Sequence, residues 1–158
     1  CRYWNEHGIP DFHINVNLSV VQLLQKDVAE TVARILKKTG VNPKNIVLEI
    51  TESFAINDMD RVLDIIKVIK KLGPRIALDD FGTGYSSLNY IKQLPLDIIK
   101  VDKTFIDDIV EDEYAQAFIK LIVELSDTFD TDIIVEGVEN EAQLKILKEL
   151  GVDYIQGF

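Results

Sequence analysis

Ile76-Ala-Leu-Asp-Asp-Phe-Gly-Thr-Gly-Tyr-Ser-Ser87 runs an apolar, strand-like segment directly into paired carboxylates and a glycine-rich turn. Asp79 and Asp80 are adjacent, so wherever the strand end is packed both lose hydration and repel each other, and a cation or several hydrogen-bond donors must compensate. A divalent metal is the obvious compensator. Asp and Gly are also ordinary turn residues, so this segment alone reads equally as a charged β-turn or as a site.

The pattern recurs along the chain. Phe12-His-Ile-Asn-Val-Asn17 ends on Asn17, and Ile46-Val-Leu-Glu-Ile-Thr-Glu52 carries Glu49 and Glu52. Ile98-Ile-Lys-Val-Asp102 carries Lys100, Ile133-Ile-Val-Glu136 ends on Glu136, and Tyr154-Ile-Gln156 ends on Gln156. Six β-branched segments each deliver a polar group near their C-terminal end. In open parallel sheets and in (β/α) barrels that end is where sites are built. Convergence at one rim accounts for all six together.

Helical patterns fill the intervals. Val20, Val21, Leu24, Val28, Val32, Ile35 and Leu36 fall largely on one helical face, with Gly40 and Pro43 as the stop. Asn57 or Asp58 can cap a second helix whose stripe is Val62, Leu63, Ile65, Ile66, Ile69 and Leu72, closed by Gly73-Pro74. Further helices are predicted over Ser86 to Gln93, Glu113 to Phe129 and Glu141 to Leu150. Alternating strands and helices predict right-handed βαβ units around a mostly parallel α/β sheet.

The 158 residues, 47% of them hydrophobic, suit one compact domain with no visible linker or tandem repeat. No apolar run is long enough to span a bilayer, and the first residues lack the apolar core of a signal peptide. The single cysteine, Cys1, excludes an internal disulfide and a cysteine-rich metal cluster, which fits a reducing, cytoplasmic setting. A net charge of −10 argues against nonspecific binding of DNA, RNA or acidic membranes. It leaves a phosphate ester as a substrate, because divalent ions in an acidic pocket invert its local sign. Asp107, Asp108, Glu111, Asp112 and Glu113 read as a solvated segment. His7 and His13 fall outside the rim pattern, and Phe81 and Tyr85 read as anchors of their loop before they read as a stacking platform.

Val16-Asn-Leu-Ser19, Glu49-Ile-Thr-Glu52, Asp79 to Ser87, Lys100-Val-Asp102, Glu136-Gly-Val-Glu139 and Gln156-Gly-Phe158 together resemble the successive signatures of the EAL domain, the bacterial phosphodiesterases that linearise cyclic di-GMP. The resemblance covers essentially the whole chain and keeps the family order. It implies a (β/α)₈ TIM barrel with a two-metal site for Mg²⁺ or Mn²⁺. Asn17, Glu49 and Asp79 would bind one ion, and Asp79 would bridge to a second held by Asp80 and Glu136. Lys100 would position or polarise the attacking water, Gln156 would hold the water or substrate network, and Glu52 would order the loop after Asp79. Glu136 would serve as ligand, base or both. Oxygen ligands suit these hard cations, and the lack of His and Cys among them argues against zinc.

No Glu-Ala-Leu tripeptide, the signature that names the family, occurs in the sequence. The expectation is therefore a partial EAL domain over residues 1–158, an incomplete barrel of six βα units cut from a longer signalling protein with regulatory domains. A homodimer, by swapping or edge pairing, is another way to complete such a sheet. The alternative function is an EAL-like module that senses cyclic di-GMP or a protein partner without turnover.

Overall fold

The computed structural model describes residues 3, 7, 12–52, 59–83 and 91–157. Six strands, β1 (Ile14–Asn17), β2 (Ile46–Thr51), β3 (Arg75–Phe81), β4 (Ile98–Val101), β5 (Asp132–Val138) and β6 (Tyr154–Gly157), form one sheet in chain order. Every neighbouring pair is parallel. The sheet curls into an open half-barrel with β1 and β6 as its edges. The helices are α1 (Val20–Leu23), α2 (Val28–Thr39), α3 (Met59–Lys70), α4 (Glu113–Phe129) and α5 (Glu141–Glu149). Among the described residues, no helix is long and apolar enough to cross a membrane.

The alternation along each strand sorts its residues onto two faces. Leu48, Ile50, Ile76, Leu78, Ile99, Val101, Ile133 and Val135 join Val62, Ile66 and Ile69 of α3, Ile119 and Ile122 of α4 and Leu147 of α5 in the main core. The opposite face carries a separate apolar cluster of Val47, Ala77 and Ile98 with Ile134 packed against it. Two residues further along each of these strands stand Glu49, Asp79, Lys100 and Glu136. A strand repeat of two thus places four ionisable groups directly above an apolar floor, in the layered manner of a barrel interior.

The helix expected as one stripe from Val20 to Leu36 is broken. Ser19 caps α1 through a capping box with Gln22, and the chain leaves the helix at Leu24 before restarting after Asp27. The apolar spacing continues across the gap, but Gln25-Lys26-Asp27 is polar and Asp27 sits at the cap of α2. Asp favours caps over helix interiors because its side chain competes for nearby backbone groups. The Glu113–Phe129 helix falls on its expected span. Asn57, Asp58 and most of the segment Ser86 to Gln93 lie outside the described residues, as do Tyr85 and Cys1.

The N-terminal end of the sheet is fastened by carboxylates. Asp97 Oδ2 accepts from the Ile76 amide at 2.8 Å while its Oδ1 meets Lys70 Nζ at 2.9 Å. Asp153 Oδ2 accepts from the Ile133 amide at 3.1 Å, and Arg75 pairs with Asp132. Asp97 and Asp153 thus hold the amides of the second residues of β3 and β5. Replacing Asp97 by Ala should lower the unfolding free energy by about 1–3 kcal/mol, because a half-buried amide loses its acceptor. Urea denaturation checks this, with an unchanged slope marking a loss of stability alone.

Candidate active site

Lys100 is the centre of the polar rim. Its Nζ lies 2.7 Å from Glu49 Oε1, 3.1 Å from Asp79 Oδ1 and 2.6 Å from Glu136 Oε1. Four consecutive strands, β2 to β5, supply these groups. The Lys100 side chain is only 6% exposed, so burial alone would pull its pKa down. The contacts with Glu136, Glu49 and Asp79 outweigh that penalty and hold it well above the ordinary lysine value. Lys100 is therefore a fixed cation at neutral pH, able to donate hydrogen bonds and unable to take up a proton.

One ammonium against three carboxylates leaves these four side chains with a net charge of −2. Asp79 Oδ1 and Glu136 Oε1 are buried, and Lys100 Nζ is the compensating group beside each of them. Glu49 is better provided for, since Asn15 Nδ2 donates to its Oε1 at 2.7 Å. Among the described residues, no three Asp, Glu, His or Cys groups stand together as a ready coordination shell. The carboxylates converge on Lys100 instead.

Asp80 stands beside this group in a different state. It is exposed, has a φ of 55°, and sits where the β3–β4 register shifts between Leu78 and Phe81. Left-handed backbone at a residue other than glycine is strained and clusters at functional sites. Desolvation raises the Asp80 pKa, with Asp79, Asp102 and Glu49 adding to the effect and Lys100 opposing it. Asn17 is exposed on β1 in register with Glu49, and Gln156 is exposed on β6 in register with Glu136.

The loop after Asp79 is tied from two sides. Buried Glu52 accepts from the Gly82 amide at 2.9 Å through Oε2, and its own amide donates to the Asp79 carbonyl at 3.2 Å. Gly82 has a φ of 97°, and a Cβ there would lie 2.7 Å from the Phe105 ring. Phe105 stacks on Phe118 with centroids 4.2 Å apart, and buried Phe81 lies against the same ring. Phe81 is thus an anchor of the loop. His13 is exposed just before β1, at the end of the strand opposite Asn17, and His7 bonds to the Tyr3 carbonyl.

Two residues of this neighbourhood carry no expected role from sequence. Asn15 fixes Glu49, and its signal was its place two residues before Asn17 on the same strand face. Asp102 accepts from the Thr104 hydroxyl at 2.6 Å and amide at 2.9 Å. Those bonds hold its pKa below the usual carboxylate range, and its charge adds to the field at Asp80.

The EAL domain family profile matches residues 1–158. The chain belongs to the EAL domain family. It is 40% identical over 157 residues to MucR of Pseudomonas aeruginosa, a bifunctional diguanylate cyclase/cyclic di-GMP phosphodiesterase, covering 99% of this chain and 23% of MucR. A cyclic di-GMP complex of the MucR phosphodiesterase superposes with a TM-score of 0.93 over 99% of this chain and 64% of that one. The EAL domain of Mycobacterium smegmatis DcpA gives 0.92 at 32% identity, over 99% and 70% of the two chains. A manganese/cyclic di-GMP complex of Klebsiella pneumoniae BlrP1 gives 0.88 at 27% identity, over 98% and 40%.

The residues of this EAL chain suit a hard divalent cation. The surplus negative charge, the two buried carboxylate oxygens beside Lys100 and the all-oxygen donor set fit Mg²⁺ or Mn²⁺. Lys100→Met should destabilise the metal-free protein by about 3–5 kcal/mol, because it leaves buried carboxylates unpaired. A lysine with a raised folded pKa stabilises fully below its unfolded value, here the ordinary 10.5, and loses that contribution as pH climbs toward the folded value. The gap between wild type and Lys100→Met should therefore be flat from neutral pH to about 10 and shrink above it. Calorimetric melts at stepped pH in chelator measure that gap.

Proposed function

We propose that the protein carrying this chain hydrolyses cyclic di-GMP to the linear dinucleotide, with Mg²⁺ or Mn²⁺ in a two-ion site. The observation that carries the reading is the buried Lys100–Glu49–Asp79–Glu136 cluster at the C-terminal rim of an EAL sheet. Neighbours of the same fold in complex with cyclic di-GMP support the substrate. The relatives are longer than this chain, which supports reading it as part of an EAL domain in a multidomain signalling protein. One cysteine and no described membrane helix support a cytoplasmic setting.

In this reading Asn17, Glu49 and Asp79 hold one ion, and Asp79, Asp80 and Glu136 hold the other. When bound, such ions supply a water of lowered pKa and charge stabilisation for the phosphoryl oxygens. Lys100 contributes by charge and by donating hydrogen bonds near the nucleophile, since its ammonium has no lone pair to accept a proton. Glu136 acts as a ligand rather than a base. Glu52 keeps Asp79 and Asp80 in place by anchoring the first loop residues, and Gln156 contributes a neutral amide at the rim for substrate or water.

Incubating the full-length protein with cyclic di-GMP and Mn²⁺, and following the linear product by chromatography, tests the reading. Lys100→Ala should lower kcat on the order of a hundredfold or more, as loss of one electrostatic group does in other enzymes. Asp79→Asn should cost more than Asp80→Asn, because a bridging ligand serves both ions. Tight binding of the dinucleotide with no product under either ion would replace the enzyme by a receptor.

A further inference from the structure

Gln143 is 4% exposed, on the first turn of α5, outside the rim itself. A buried primary amide needs partners at both ends. Its Oε1 accepts from the Glu139 amide at 2.8 Å, and its Nε2 donates to the Ile106 carbonyl at 3.0 Å. Its own backbone amide donates to the Asn140 side chain at 2.9 Å, which fixes the turn from which it reaches. Glu139 directly follows β5, the strand of Glu136, and Ile106 ends the short 3₁₀ segment that follows β4 and Asp102, the strand of Lys100. The amide therefore bridges the two loops that leave the Lys100 and Glu136 strands.

The chain between these strands is also interlocked at Gly137. That residue has a φ of 74°, and a Cβ there would lie 2.4 Å from Lys103 Cβ. The β5–β6 register shifts between Glu136 and Val138, so β5 bulges immediately after the residue that meets Lys100. A bulge re-aims its neighbours, and its shape persists only while the flanking backbone is held. Within this segment the side chain of Gln143 supplies such a hold, because the peptide it grips is two residues beyond Gly137.

We propose that Gln143 is a positioning residue for the Lys100–Glu136 pair: it clamps the β4 and β5 exit loops together and so sets the 2.6 Å contact between Lys100 Nζ and Glu136 Oε1. Its service to metal binding rests on the function proposed above, while the clamp itself does not. Gln143 touches no reacting atom and acts through backbone.

The test is a double-mutant cycle of Gln143→Met and Glu136→Gln in the full-length protein, with the EAL transition followed by scanning calorimetry in chelator. Positioning predicts that Gln143→Met lowers the transition temperature less when Glu136 is already replaced. Additive shifts would overturn the clamp. Calorimetric titration with Mn²⁺ on the folded variants gives the second readout. Gln143→Met should weaken Mn²⁺ binding on the order of tenfold, as loss of outer-shell partners does elsewhere. Ser126→Ala, at a buried hydroxyl on α4 remote from the rim, should lower the transition temperature and leave Mn²⁺ affinity unchanged. Unchanged Mn²⁺ binding in Gln143→Met, beside normal binding by wild type, would overturn the positioning role. A coupled cycle in a wild-type protein that binds no Mn²⁺ would uphold the clamp and refute the metal reading instead.

Discussion

A buried ammonium shared by three carboxylates ties the C-terminal ends of four strands to one another. Lys100 reaches Glu49 on β2, Asp79 on β3 and Glu136 on β5 from its own place on β4. These groups are largely buried, so moving Lys100 away would leave three carboxylates as uncompensated buried charge. A slip of one residue in any strand would turn its ionisable group to the helix side and bring an aliphatic residue to the rim. Register and site are therefore one constraint. The glycine-rich loop depends on it too, since Glu52 binds Gly82 only while β2 and β3 keep the alignment that pairs Thr51 with Asp79.

Stability and chemistry divide along the strands. The N-terminal ends are held by Asp97 and Asp153, which accept from backbone amides, and by the Lys70–Asp97 and Arg75–Asp132 pairs. The middle is the apolar floor of Val47, Ala77, Ile98 and Ile134. Only the C-terminal ends carry charge whose compensation is incomplete. The floor matters to that upper layer because it keeps water from approaching the carboxylates from below, and a low-dielectric surrounding strengthens every charge contact above it. The two ends show opposite logic: below, Asp97 and Asp153 each have a backbone donor; above, Asp79 Oδ1 and Glu136 Oε1 have none.

The strand ends were legible because burial on both faces writes a parallel strand as an apolar run, and a polar residue interrupts that run only for a reason. Glu49, Lys100 and Glu136 were visible in this way, as was the α4 span with its clear helical repeat. The sharing of Lys100 was not, because nothing local in Ile98 to Asp102 states which strands will flank it. Asn15, Asp102 and Gln143 were missed for the same reason: each acts on a partner reached through the fold, Glu49 at a separation of 34 residues and Ile106 at 37 among them. The break at Gln25 to Asp27 was hidden by apolar spacing that continues through it. The unlike surroundings of Asp79 and Asp80 were also not legible locally, since they arise from the register shift and the left-handed backbone.

That difference between neighbours bears on how the rim can work. Asp79 is held by a permanent cation, whereas Asp80 is exposed on left-handed backbone, with its pKa raised by desolvation and then by the charges of Asp79, Asp102 and Glu49. Carboxylates in this condition are poorly satisfied by the protein alone. Lys100 cannot relieve them further, having three partners already, and water at an exposed edge screens only in part. The arrangement is therefore asymmetric by construction. One side of the rim is partly neutralised in advance by an ammonium that will not titrate near neutral pH, and the other retains its negative charge around a backbone conformation fixed by Glu52 and Gly82. A site of that kind favours cations on the Asp80 side.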